Sequence, residues 1–171
     1  EMWDRQRICP SDIDYNLWNK QRNSLLELSA ITPGCVFAVD VYRKRYDYAS
    51  TRFADIFGYN RSFIQTIQNQ KDYLEDRIHP DDREWIADMQ LKHSQFIYSL
   101  PQEQRNDYST IYQYRILNSK QQYIYIISRQ QVLMKDNAGK AWIVMGMMDV
   151  SPEQNPVQHT KYTVYNLRTG D

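Results

Sequence analysis

Apolar residues in this chain recur first at helical spacing and then at strand spacing, with the change of regime at a polar loop over residues 100–107. Ahead of that loop, Ile13, Leu17, Trp18, Leu25, Leu28 and Ile31 predict a helix with one apolar stripe, started by Ser11 or Asp12 and ended before Thr32-Pro33-Gly34. A short β-branched run over 36–41, a turn at Arg43-Lys44-Arg45 and a second run over 46–49 read as a hairpin. Phe53, Ile56 and Phe57 suit a short helix stopped by Gly58, and the polar, Gln-rich stretch 62–74 reads as short turns or helices. At Ile78-His79-Pro80-Asp81-Asp82-Arg83 a long helix begins. Pro80 stiffens its start, and Asp81 and Asp82 place negative charge on the first turn, where free N–H groups and the helix dipole favour it. Trp85, Ile86, Met89, Leu91, His93 and Phe96 continue it at helical spacing.

Three strands follow in series. Residues 110–117 alternate Tyr112, Tyr114 and Ile116 against Gln113 and Arg115, residues 123–133 are rich in Ile, Val and Tyr, and 141–150 carry Trp142, Ile143, Val144 and Met145. Turns are supplied by Asn118-Ser119-Lys120 and by residues 136–140. Hairpin, helices and a three-strand meander together predict an α+β domain: a five-stranded antiparallel sheet with helices on one face and an N-terminal flanking helix. Residues 163–167, past Pro152 and Pro156, read equally as a further strand or as a linker.

With 171 residues, the chain suits one domain with flanking segments, and its 21 basic and 21 acidic residues balance. That balance gives no reason to expect a nucleic-acid or anionic-membrane surface. Two cysteines, Cys9 and Cys35, are too sparse for a disulfide framework, and no apolar run reaches membrane-spanning length. A cytoplasmic protein is expected, and Glu1 ahead of Met2 suits a segment taken from a larger polypeptide.

Catalytic chemistry finds little footing. His79, His93 and His159 show no metal-ligand spacing, and Asp81 and Asp82 are adjacent on a helix start and point to different sides. There is no Gly-x-Ser-x-Gly and no phosphate-binding glycine loop. The expectation is therefore no enzyme, no metal and no cofactor. His79 and its neighbours read as a capped helix start, His93 as an exposed or partly packed helix residue, and Arg43-Lys44-Arg45 as a solvated turn.

Five fragments in this order resemble the PAS family of sensory input domains, over residues 33–153. They are Phe57-Gly58-Tyr59, Ile78-His79-Pro80-Asp81-Asp82-Arg83, Tyr114-Arg115, the Asp136–Lys140 turn, and Gly146-Met147-Met148-Asp149-Val150-Ser151. One departure is Gln121, where the family often has glycine, so this hairpin loop is expected to differ. The resemblance implies a cavity between sheet and helices, with Phe37, Phe53, Phe57, Trp85, Tyr112, Tyr114, Tyr125, Met145 and Met147 as candidates to line a pocket for an unknown small molecule. It implies a signal-output junction at Asp149, Val150 and Ser151, and a homodimer or cap built on Leu17, Trp18, Leu25 and Leu28 of the flanking helix, residues 1–32. Residues 154–171 would lead to an effector, a LuxR-type helix-turn-helix or alternatively a histidine kinase or cyclic-nucleotide synthase. A ligand-free protein-interaction module is the third reading. Haem-binding members use a histidine on the long helix, from which His93 is displaced, and flavin-binding members use a cysteine that this chain lacks.

Overall fold

Alternation along the strands sorts the side chains onto two faces of one antiparallel sheet, and each face is buried by a different set of helices. The computed structural model describes residues 8–57, 73–118 and 120–171. Its strands are β1 (Cys35–Asp40), β2 (Arg45–Ala49), β3 (Tyr108–Leu117), β4 (Tyr123–Lys135), β5 (Ala141–Val150) and β6 (Lys161–Asn166), in the order β2-β1-β5-β4-β3-β6. The tail thus supplies a sixth strand to the five expected. β6 runs antiparallel along the free edge of β3, with Tyr162 opposite Tyr112 and Val164 opposite Thr110.

The helices are α1 (Tyr15–Ile31), α2 (Arg52–Phe57), α3 (Tyr73–Arg77) and α4 (Pro80–Ser99). Phe37, Tyr46, Tyr112, Tyr114, Ile116, Ile126 and Met148 form the inner face and pack with Phe53 and Phe57 of α2, Leu74 of α3, Ile78 and Ile86. Val36, Ala38, Tyr48 and Ile143 form the outer face and pack beneath Trp18 and Leu25 of α1. Trp18 also donates its indole N–H to Asp47 on β2, at 2.5 Å, which fixes the angle at which α1 crosses.

α1 is capped by Asp14, whose carboxylate accepts from the N–H groups of Asn16 and Leu17 at 2.9 and 3.1 Å. The expected caps, Ser11 and Asp12, lie instead in a preceding 3-10 turn, Pro10–Asp12. Asp12 is occupied there, accepting from the Asn137 N–H at 3.0 Å. α4 starts as its motif predicts: His79 accepts the Asp81 N–H at 3.2 Å, Pro80 opens the helix, and the buried Asp82 reaches Arg115 on β3. The Gly58 stop and the reading of 62–72 fall outside the described residues.

The turns follow their side chains. Asn118 Oδ1 accepts from the N–H groups of Lys120 and Gln122, and Asp136 Oδ1 accepts from that of Lys140. Gln121 has φ 59°, so it takes up the left-handed conformation in which glycine is usual. The β3–β4 turn therefore keeps a glycine-like backbone despite the substituted residue.

Beyond β5 the chain stays on the sheet. Gln154 accepts the Tyr125 N–H at 3.1 Å and donates to the carbonyls of Tyr125 and Ser151 at 3.0 and 2.7 Å. His159 then stacks on the Tyr125 ring and hydrogen-bonds its hydroxyl. β6 ends where Arg168 pairs with Asp107 at 2.9 Å. Among the described residues, no helix is long and apolar enough to cross a membrane.

Candidate ligand cavity

The inner face of the sheet is not filled completely by its helices. A cavity of about 280 Å³ lies between it and α3 and α4, walled on the sheet side by Phe37, Val39, Tyr46, Tyr112, Tyr114, Gln130, Val144 and Met148. Leu74, Ile78, Ile86 and Gln90 close it from the helices, and Lys44, Glu75, Asp76 and Arg83 also border it. A smaller chamber of about 80 Å³ continues along α4, between His93, Ser94, Ile97 and Tyr98 of the helix and Thr110, Val132 and Ala141 of the sheet. Gln90, Tyr112, Gln130 and Val144 border both.

The absence of a side chain shapes this wall as much as the side chains do. A Cβ on Gly146 of β5 would stand 2.1 Å from Cζ of Phe37, so glycine lets the Phe37 ring lie across its backbone. Burial governs the electrostatics. It pushes the phenols of Tyr112 and Tyr114 well above their ordinary range and lowers the His93 imidazole to about 4. All three are neutral near pH 7, and His93 sits 2.9 Å from the Thr110 hydroxyl. Arg83 spends its donors on backbone, giving Nε to Ile78 O at 2.9 Å and a terminal N–H to Asp76 O at 2.7 Å.

Of the residues singled out in the sequence, the structure brings Phe37, Tyr112 and Tyr114 together on the cavity wall. Phe53, Phe57 and Trp85 belong to the core cluster behind it. Met145, Met147 and Tyr125 must be corrected. The strand period of two turns them to the outer face, Met145 and Met147 packing with the α1 cluster and Tyr125 under the tail, while Gly146 and Met148 point inward. At the expected output junction Asp149 and Val150 are exposed, whereas Ser151 is buried and donates its N–H to Tyr125 O at 2.8 Å. On α1, Trp18 and Leu25 are buried against the sheet, and Leu17 and Leu28 remain 45% and 43% exposed.

The sequence does not single out Gln90, Thr110 or Gln130 and reads His93 as an exposed or partly packed helix residue; the structure sets His93 against Thr110 on the wall of the smaller chamber. A signal existed for the helix: Asp82, Ile86, Gln90, His93 and Ile97 recur at about the helical period and share the sheet-facing side. Polarity at three of those positions, Asp82, Gln90 and His93, hid the stripe. The basic turn is less solvated than expected, since Arg43 lies 3.7 Å over the Tyr15 ring and Arg45 pairs with Asp47 at 2.9 Å. Cys35 is buried and its thiol is pushed up, by burial first and then by Asp149 and Asp55. Among the described residues no three His, Cys, Asp or Glu side chains gather as a metal site.

A family profile described as the PAS fold matches residues 46–148. No curated protein matches the chain by sequence. Solved structures match in shape. A PAS domain of a protein from Colwellia psychrerythraea superposes with TM-score 0.55 at 14% identity, covering 78% of this chain and 96% of its own. A sensory box histidine kinase/response regulator from Burkholderia thailandensis gives 0.51 at 22% identity, covering 75% and 83%. The N-terminal domain of a diguanylate cyclase with PAS/PAC sensor from Marinobacter aquaeolei gives 0.52 at 17% identity, covering 68% and 94%. At such identities the shared property is the fold.

Proposed function

This chain belongs to the PAS fold family, and from that premise we propose that it is a sensory input domain which binds a small molecule between sheet and helices and acts as a homodimer. Its effector is a LuxR-type helix-turn-helix transcription factor elsewhere in the same polypeptide. The domain itself works in the cytoplasm, touches neither nucleic acid nor membrane, and catalyses nothing. The observation that carries this reading is the cavity of about 280 Å³. Unfilled space of that size costs a small domain stability, and its wall of aromatic and neutral polar groups suits an organic ligand.

A ligand that binds one packing of sheet and helices better than another shifts the balance between them. The change leaves through Asp149, Val150 and Ser151 into the tail, because Ser151 and Gln154 are tied to Tyr125 and the tail's Tyr162 packs at 5.3 Å on Tyr112 of the cavity wall. Dimerisation uses the flank of α1 that is not spent on its own sheet. Leu17, Leu28 and Ile31, the last 81% exposed, align there roughly one quarter turn from Trp18 and Leu25.

Native mass spectrometry with an absorption spectrum tests the ligand. The expected result is a bound mass lost on denaturation. A bare mass, together with a melting temperature that no small molecule raises, would leave a protein-interaction module instead. Light scattering tests the dimer, and a strict monomer at high concentration would overturn it. The alternative outputs, a histidine kinase or a cyclic-nucleotide synthase, draw support from the sources of two structural neighbours. The polypeptide that follows Asp171 in the natural protein separates these outputs.

A further inference from the structure

The two chambers share one border, a neck lined by Gln90 of α4 and Gln130 of β4 with Tyr112 and Val144, the four residues common to both. One carboxamide comes from the helix and one from the sheet. Neither has a hydrogen-bond partner among the described residues, and both are half-buried. Each carboxamide is left for water or for a ligand inside the cavity to bond, so a ligand that offers matching groups replaces solvent there without leaving a polar atom unpaired. Each offers a C=O acceptor and an N–H donor side by side, which is the complement of another amide.

The surroundings of the neck are uncharged. Phe37, Tyr46 and Tyr114 supply aromatic walls on one side, and Thr110 and the neutral His93 close the smaller chamber on the other. The charged groups Lys44, Glu75, Asp76 and Arg83 border the larger chamber alone; Lys44 is half-buried, the other three are exposed, and Arg83 precedes Gln90 by about 10 Å of helix. An anion at the neck would lose its water beside Gln90, Gln130, Tyr112 and Val144, none of them cationic, and a cation would find no carboxylate among them. Size sets the other bound. A cavity of about 150 Å³ holds benzene, so about 280 Å³ with a further 80 Å³ behind the neck admits one or two fused rings with a polar substituent.

We infer that the cavity takes a neutral one- or two-ring aromatic bearing a carboxamide or ring lactam, whose C=O and N–H are read by Gln90 and Gln130. This rests on the sensor reading above and names its ligand class. The test is a titration followed by ¹H–¹⁵N correlation spectra of the whole chain. The probes are indole-3-carboxamide, its near-isosteric carboxylate indole-3-carboxylate, and indole as the unsubstituted control. The carboxamide is expected to shift the Tyr112, Gln130 and Val144 amides saturably and to bind at least tenfold more tightly than the carboxylate. Gln130→Leu is expected to remove that preference, with an unchanged melting temperature showing that the variant folds. Gln90→Leu, on the half-buried helix side, serves the same purpose should the strand variant fail to fold. Equal or tighter binding of the carboxylate, or an amide preference that survives both substitutions, overturns the ligand class and leaves the sensor reading standing. If none of the three probes perturbs the spectrum, the ligand class falls, and the native mass spectrum decides the sensor reading separately.

Discussion

Asp82 on the first turn of α4 grips Arg115 on β3 through three hydrogen bonds. Its Oδ2 accepts from Arg115 Nε at 3.0 Å and from the Arg115 backbone N–H at 2.9 Å, and its Oδ1 accepts from a terminal guanidinium N–H at 2.6 Å. The His79 N–H returns a bond to the Arg115 carbonyl at 3.0 Å. The motif at the start of α4 and the Tyr114-Arg115 pair, far apart in sequence, are therefore two halves of one joint. It pins the helix that roofs the cavity to the strand that walls it.

Breaking this joint from the Asp82 side leaves Arg115, among the described residues, only the exposed Asp81, 3.7 Å away, as a counter-charge. Asp82 is buried and the Arg115 guanidinium is largely covered, so Asp82→Ala is expected to cost about 3–5 kcal/mol. Arg115→Lys keeps the charge but loses the fork geometry, and its cost is expected to be smaller, about 1–2 kcal/mol. Urea denaturation of both variants checks the ranking; equal losses would mean that charge alone matters and the bidentate geometry does not.

His93 gives the fold a dependence on pH. Burial lowers its pKa from an ordinary 6.5 to about 4. The groups facing it are Thr110 and, on β6, Tyr162, whose phenol burial pushes up to about 12, so neither changes charge in this range. As the pH falls below 6.5 the unfolded chain takes up a proton that the native state refuses until about 4. Stability therefore drops across that window, by roughly 3 kcal/mol, and this contribution is flat above and below it. His93→Gln, which can still meet Thr110, is expected to flatten the profile of melting temperature against pH between those limits. An unchanged slope would assign the acid sensitivity to other groups.

At Gln121 a side chain stands where the backbone favours none. Its φ of 59° is left-handed, a conformation that costs a non-glycine residue roughly 1 kcal/mol. The turn is otherwise closed by Asn118, which accepts the Lys120 and Gln122 N–H groups. Gln121→Gly removes the strain and adds some unfolded-state entropy, for a net gain of about 0.5 kcal/mol. Thermal denaturation reads the sign, and a loss of stability would show that the glutamine side chain contributes to the turn.

These residues also mark how much was legible in the sequence. The helix start at Pro80, the turn at Asp136 and Gly139, and the shared face of Tyr112 and Tyr114 rest on local chemistry or on alternation, so motif and period reveal them, whereas the joint from Asp82 to Arg115 spans 33 residues and no local pattern shows it. Alternation alone gives two sets of residues and does not say which set faces the helices. That is why Met145 and Met147 were expected in the cavity, where the register instead puts Gly146 and Met148. Gly146 contributes no apolar signal of its own, and its role shows only against the Phe37 ring. Gln90 and Gln130 were hidden for a related reason, since polarity at a core-facing position mimics a surface position in sequence. β6 depends on pairing with β3 across about fifty residues, which no local pattern encodes.

β6 is an edge strand with one hydrogen-bonded neighbour, so its opening is expected to be separable from global unfolding. Its hold on the inner face is Tyr162, whose ring lies 5.3 Å from that of Tyr112 and 6.5 Å from that of His93. Tyr162→Ala removes both contacts at a half-buried site, a loss of about 1–2 kcal/mol. Hydrogen exchange is expected to quicken about tenfold or more in β6, while the central strands β4 and β5 keep their protection. Because Tyr112 also walls the cavity, a molecule bound there is expected to slow exchange in β6 of the unmodified protein and not in the Tyr162→Ala variant. If β4, β5 and β6 quicken together, the tail is no independent unit and the route from cavity to β6 through Tyr162 does not operate.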